Sequence, residues 1–242
     1  MLNKKWKKFD KLTGKCYLNM IGSEKDGSCW SQAFELMKEI ILEDRTVDPA
    51  FAPELELLDD ATDYSFDIQG WLEDCLDEID MREDYETLLH MCNDLLELFG
   101  WPEYTGSDIK FRKATVLRQL GRGKESVEFC KKWMEKEPEN IVAATSGVYA
   151  FTSAKDFEEA EKLVDRFILN KSECGDEDEI MFMAASKLYE AMGKKKEKKE
   201  IDKAIEQYDK YLEQYFMDSD IDEFDEFDEF DEFSDFDDLP FN

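Results

Sequence analysis

His90 is the only histidine in this 242-residue chain. A lone imidazole can move a proton, but it cannot build a histidine-based zinc site. The cysteines, Cys16, Cys29, Cys75, Cys92, Cys130 and Cys174, are scattered without a C-x-x-C pair. That spacing reads as buried free thiols rather than disulfides or a zinc cluster. Aspartate and glutamate together number 61, so the proximity of two acids carries no information. The Asp-Glu pairs near the C-terminal end lack the glycine turn and spaced ligands of a calcium loop. Gly121-Arg122-Gly123 has no strand before it and reads as a turn between helices, not a phosphate cradle. The residues therefore predict no catalytic group, no metal and no cofactor. Binding is the expected mode of action.

The elements that would carry binding residues are helices. Prolines number 5 and glycines 11, and long segments place apolar residues three and four apart, the helical period. No β-branched alternating run predicts a sheet, so the expected fold class is all-α. Hydrophobic residues make up 42% and aromatics 13%, enough for a packed body, while charged residues reach 38% and the net charge is −30. From Met217 to Asn242 there are 13 acids and no base, which leaves 48 acids against 31 bases before it and a body near −17. A field of that sign repels phosphate backbones and anionic membranes and attracts basic proteins. No direct nucleic-acid or membrane partner is expected. Two basic runs, Lys4 to Lys15 and Lys194 to Lys199, read as solvated charge. No stretch reaches the roughly 20 apolar residues of a membrane span, and the start lacks the apolar run of a signal peptide. A cytoplasmic location is the expectation.

Self-similarity organises the helices. Gly121, Ser126, Cys130, Trp133 and Pro138 give a turn glycine, a small contact residue, two residues for the helix contact and a terminating proline. Thirty-four positions after Ser126 stands Ala160, within Asp156-Phe157-Glu158-Glu159-Ala160, and a first helix is expected from about Asn140 to Ser153. A third copy carries Phe182, Ala185, Ser186, Tyr189 and Gly193, then Ala204, Tyr208 and Tyr211, with a lysine-rich insertion after the glycine. A weaker copy includes Asp84-Tyr85-Glu86-Thr87-Leu88 and ends before Pro102. From Ile68 to Phe216 this pattern resembles the tetratricopeptide-repeat family, which implies an α-solenoid of antiparallel helix pairs. Residues 1–67 are expected to form a helical cap, with a helix over Ser28 to Asp44, followed by a linker or irregular loop over Pro49 to Tyr64. Residues 217–242 are expected to be a disordered acidic-aromatic tail.

In that family the first helix of each pair lines a concave face. The resemblance carries this role to Phe111, Thr115, Arg118 and Gln119, to Val142, Thr145, Tyr149, Thr152 and Ser153, and to Ile180, Met183, Lys187 and Glu190. It implies a peptide or protein ligand. The tail repeats Asp-Glu-Phe four times, and Phe224, Phe227, Phe230, Phe233 and Phe236 supply apolar anchors in a negative field, which suits a basic partner. The segment Asp235-Phe236-Asp237-Asp238-Leu239-Pro240-Phe241 resembles the acidic tip of bacterial single-stranded-DNA-binding proteins, whose tip docks on repair and replication proteins; here Asn242 follows the last phenylalanine. The sequence thus predicts an adaptor, with a nucleic-acid mimic whose tail fills a DNA- or RNA-binding groove as the alternative.

Overall fold

The computed structural model describes residues 3–225, with side chains through Met217. The described residues are almost entirely helical and contain no strand beyond one isolated bridge between Glu54 and Gly100. The chain divides into two compact units, Met1–Phe167 and Ile168–Asn242. The first holds α1 (Trp6–Met20), α2 (Cys29–Val47), α3 (Ile68–Met81), α4 (Tyr85–Leu98), α5 (Ser107–Gln119), α6 (Gly123–Lys136), α7 (Ile141–Ala154) and α8 (Phe157–Phe167). The second holds α9 (Glu179–Met192) and α10 (Lys195–Asp225).

Consecutive helices pack as pairs, α1 with α2, α3 with α4, α5 with α6, α7 with α8, and α9 with α10. Within the first unit α5 also meets α4 and α7, and α6 meets α7. The starts of α5 and α7, and those of α6 and α8, share one spacing of 34 residues, the period read from Ser126 and Ala160. Both small residues are buried, and Ser126 Oγ donates to the Ala114 carbonyl at 2.8 Å, so the paired helices touch there. Gly147 marks another close approach: an added Cβ would lie 2.9 Å from Met134 Sδ and 3.0 Å from Leu163 Cδ1.

The turn inside each of these pairs holds a residue in the left-handed region, Gly22 (φ 76°) between α1 and α2 among them. Gly121 (φ 72°) and Gly193 (φ 71°) adopt it without strain, whereas Glu83 (φ 58°) and Lys155 (φ 61°) meet the Cβ penalty. Side chains then start the next helices. Asp67 accepts from Gly70 N, Asp84 from Thr87 N, and Asn140 from Val142 N and Ala143 N.

The core of the first unit is continuous from Trp6 to Leu117, so it runs through residues 67 and 68, where the sequence suggested a boundary. Its centre is aromatic. Phe9 meets Trp6 and Trp71 edge-on at 5.4 and 5.0 Å, and Trp30 stacks on Trp71 at 6.3 Å. The N-terminal lysines belong to the polar side of α1, whose other side buries Trp6, Phe9 and Cys16. Lys5 pairs with Glu39 and Glu43 of α2.

The expected linker over Pro49 to Tyr64 is irregular but packed. Two 3-10 turns, Leu55–Leu57 and Asp60–Thr62, bury Leu58 and Thr62. Arg45 holds the segment by donating to the carbonyls of Phe51, Ala52 and Leu98 at 3.0, 2.5 and 2.5 Å. The cysteines are free, five of them buried. Burial pushes the Cys16 thiol, beside Cys29, up to about 12, which leaves it unreactive at neutral pH.

The lysine-rich insertion extends a helix: α10 begins at Lys195, directly after the Gly193 turn, and adds helical turns before Ala204. One expectation at the C-terminal end needs correction: α10 runs past Phe216 to Asp225, nine residues into the expected tail, through a stretch without glycine or proline where adding helical residues costs little once the helix is nucleated. The remaining tail anchors, Phe227 to Phe241, lie outside the described residues.

Candidate functional site

The residues carried over to α5 and α7 come together. Phe111, Thr115 and Arg118 stand at i, i+4 and i+7 on α5, and Thr145, Tyr149 and Thr152 at i, i+4 and i+7 on α7, so each set shares a helix face. The two faces meet. Phe111 packs edge-on to Tyr149 at 6.1 Å and 86°, and the Arg118 guanidinium lies over the Tyr149 ring at 5.3 Å. Arg118 Nη2 donates to Thr115 Oγ1 at 2.8 Å.

Phe111, Thr115, Arg118, Val142, Tyr149 and Thr152 are half-buried, Gln119 and Ser153 are exposed, and Thr145 is buried with 1% exposure. Three polar atoms here, Arg118 Nε, Thr145 Oγ1 and Thr152 Oγ1, are buried with no hydrogen-bond partner among the described residues. A buried donor left unmade costs roughly 1–3 kcal/mol, so three on one face are a concentrated departure from ordinary packing. Burial lowers the Arg118 pKa, and burial raises that of the Tyr149 phenol against the opposing pull of Arg118. Arg118 remains charged at neutral pH all the same.

Comparison with the other arginines isolates this one. Arg82 pairs with Glu78, Arg112 with Asp77 and Asp80, Arg122 with Glu125, and Arg166 with Glu139. Arg45 has its three carbonyls. Arg118 has one hydroxyl and one ring, and no carboxylate within ion-pair distance among the described residues. Nearby Lys110 is engaged by Glu137.

The α9 positions belong to the second unit. Met183 (49% exposed) and Ile180 are open to solvent, and Lys187 pairs loosely with Glu190 at 3.9 Å. Tyr208, Tyr211 and Tyr215 form a row along α10 with centroid spacings of 6.5 and 6.3 Å. From the basic run, Lys198 pairs with Asp202 at 2.6 Å.

One cluster was not legible as such in the sequence. His90 Nε2 lies 3.2 Å from Asp94 Oδ2 and 3.5 Å from Glu35 Oε1, and the three could offer ligands to a cation. The Lys38 ammonium, 2.5 Å from Asp94 and 3.0 Å from Glu35, already occupies the space between both carboxylates and offsets one of their two charges. The His90–Asp94 spacing of four on a helix was visible in the chain; the arrival of Glu35 and Lys38 from α2 was not. An open groove of about 360 Å³ between α6, α7 and α8 includes Met134, Phe151 and Leu163, and two of its cations are paired, Lys162 with Glu158 and Glu159, and Arg166 with Glu139. Lys113 is half-buried over Phe129 at 4.6 Å, in a groove that also carries Glu125 and Glu128.

Among the described residues no helix is long and apolar enough to cross a membrane. No protein-family model, no curated protein and no solved structure matches the chain.

Proposed function

We propose that this protein is a binding scaffold whose α5–α7 face receives a segment of another protein, and that it acts by binding rather than by catalysis. The observation that carries this reading is the half-buried Arg118, set on Tyr149 without an acidic partner, beside two buried hydroxyls without partners. Four of the other arginines are paired with carboxylates and Arg45 with backbone carbonyls, which leaves this one for a visitor. Support for a tetratricopeptide-like solenoid comes from the 34-residue spacing of α5–α6 and α7–α8, the left-handed turns at Gly121 and Lys155, and the small residues at Ser126 and Ala160. In such an array the first helices of successive pairs lie side by side, as α5 and α7 do. Free thiols and the absence of a membrane-length helix among the described residues support a cytosolic setting.

The acidic tail supplies a second contact, to a basic partner, and the pair of contacts makes an adaptor. Full-length protein and a version lacking residues 226–242 are compared by affinity capture at low and high salt. A face-bound partner survives the deletion, whereas a tail-bound one is lost and weakens with salt. Loss of every partner on deletion would replace the adaptor with the nucleic-acid mimic. Tyr149→Ala, folded by circular dichroism, is expected to release the partners that survive the deletion, and their full retention would remove the α5–α7 face from the account.

A further inference from the structure

Arg118 also specifies what kind of segment the face takes. Its guanidinium is planar and forked, matching a carboxylate in two-point geometry, and half-burial strengthens that pairing relative to open water. Thr115 Oγ1 takes only one of its donors, through Nη2 at 2.8 Å, and the Tyr149 ring at 5.3 Å holds the plane from one side. The cations that could join it are spent: Arg112 on Asp77 and Asp80, Lys110 on Glu137. One fork accepts one carboxylate. A phosphate dianion would place twice that charge against a single guanidinium in a body of net charge near −17. The hydroxyls of Thr145 and Thr152, one turn before and one turn after Tyr149 on α7, are buried, so of the polar groups here it is the Arg118 fork that a docked chain meets.

We propose that the α5–α7 face recognises peptides with a single internal aspartate or glutamate, whose side-chain carboxylate docks on Arg118 beside Thr115 and Tyr149. The inference rests on the reading of this face as a binding surface.

The test is selection from a random dodecapeptide library on the full-length protein, followed by titration of synthetic, C-terminally amidated versions of the selected peptides. The selected peptides are expected to share one acidic position. Its replacement by the matching amide should weaken binding about tenfold or more. Arg118→Gln should erase that difference, so that acidic and amide peptides bind alike, and Arg118→Lys should restore part of it. The peptide substitution reads out on the unaltered protein, so the result survives a poorly folded variant. Peptides that lose affinity with Tyr149→Ala yet show no acidic preference would overturn the inference and leave the binding face standing. A preference confined to a free C-terminal carboxylate would overturn it too. Selected peptides indifferent to both Arg118 and Tyr149 would bring down the inference and the face together.

Discussion

Arg45 and Arg118 are both half-buried arginines without a carboxylate, and the fold treats them in opposite ways. Arg45 spends its donors on three backbone carbonyls and stacks over Phe99 at 5.5 Å, tying the 49–64 segment to the end of α4. Arg118 keeps most of its donors unspent. The α1–α4 region is thus built to be closed, with an aromatic centre and its buried cation fully committed. Arg118 is half-buried as well but leaves donors unmade, as do the indole Nε1 groups of Trp6 and Trp71 in the α1–α4 core. Burial alone does not separate structural from functional arginines; the count of satisfied donors does.

Four substitutions and one titration sharpen that contrast. Trp71→Ala removes the ring between Phe9 and Trp30 and is expected to cost about 3–5 kcal/mol in denaturant unfolding. A loss under about 1 kcal/mol would mean that the closed core does not centre there. Arg45→Ala leaves three carbonyls without a charged donor and should cost about 3 kcal/mol by the same measurement. Arg118→Met, by contrast, should leave stability within about 0.5 kcal/mol, because no buried carboxylate is orphaned. Equal losses at the two arginines would erase the distinction drawn between them.

Lys155→Gly relieves a left-handed backbone and should add about 0.5–1 kcal/mol, visible as a raised Tm; a fall would show that the lysine side chain holds the turn.

The smallest effect is a pH limb at the spent cation. Burial pushes Glu137 up, but hydrogen bonds from Lys110, Trp133 Nε1 and Asn140 Nδ2 overcome it, and its carboxyl titrates below the usual range. A carboxyl depressed in the folded state gives stability that is complete above the ordinary carboxylate pKa, about 4.3, and is lost as pH falls through the lower folded value. Glu137→Gln should flatten that acid limb, and an unchanged limb would assign it to other carboxylates.

The pairing of helices was legible because its signals are local. Gly121 and Gly193 announced left-handed turns, Ser126 and Ala160 the close contacts, and Pro138 the end of α6. Lys155 announced nothing, since a lysine carries no conformational signature and its turn is imposed by the packing of α7 on α8. The N-terminal lysines hid α1, because charge dominated the reading while Trp6, Phe9 and Cys16 carried the buried side. The tail signal misled by nine residues, as charge density predicts poor packing but does not stop a helix that is already growing.

For the site, the helical period alone grouped Phe111, Thr115 and Arg118 on one face and Thr145, Tyr149 and Thr152 on another, because residues three and four apart must share a side. Only the tertiary structure set Arg118 over Tyr149, gave the neighbouring cations their carboxylates and left this guanidinium without one. Ion pairing across helices depends on which side chains arrive within about 4 Å, and that distance is fixed by packing rather than by order along the chain.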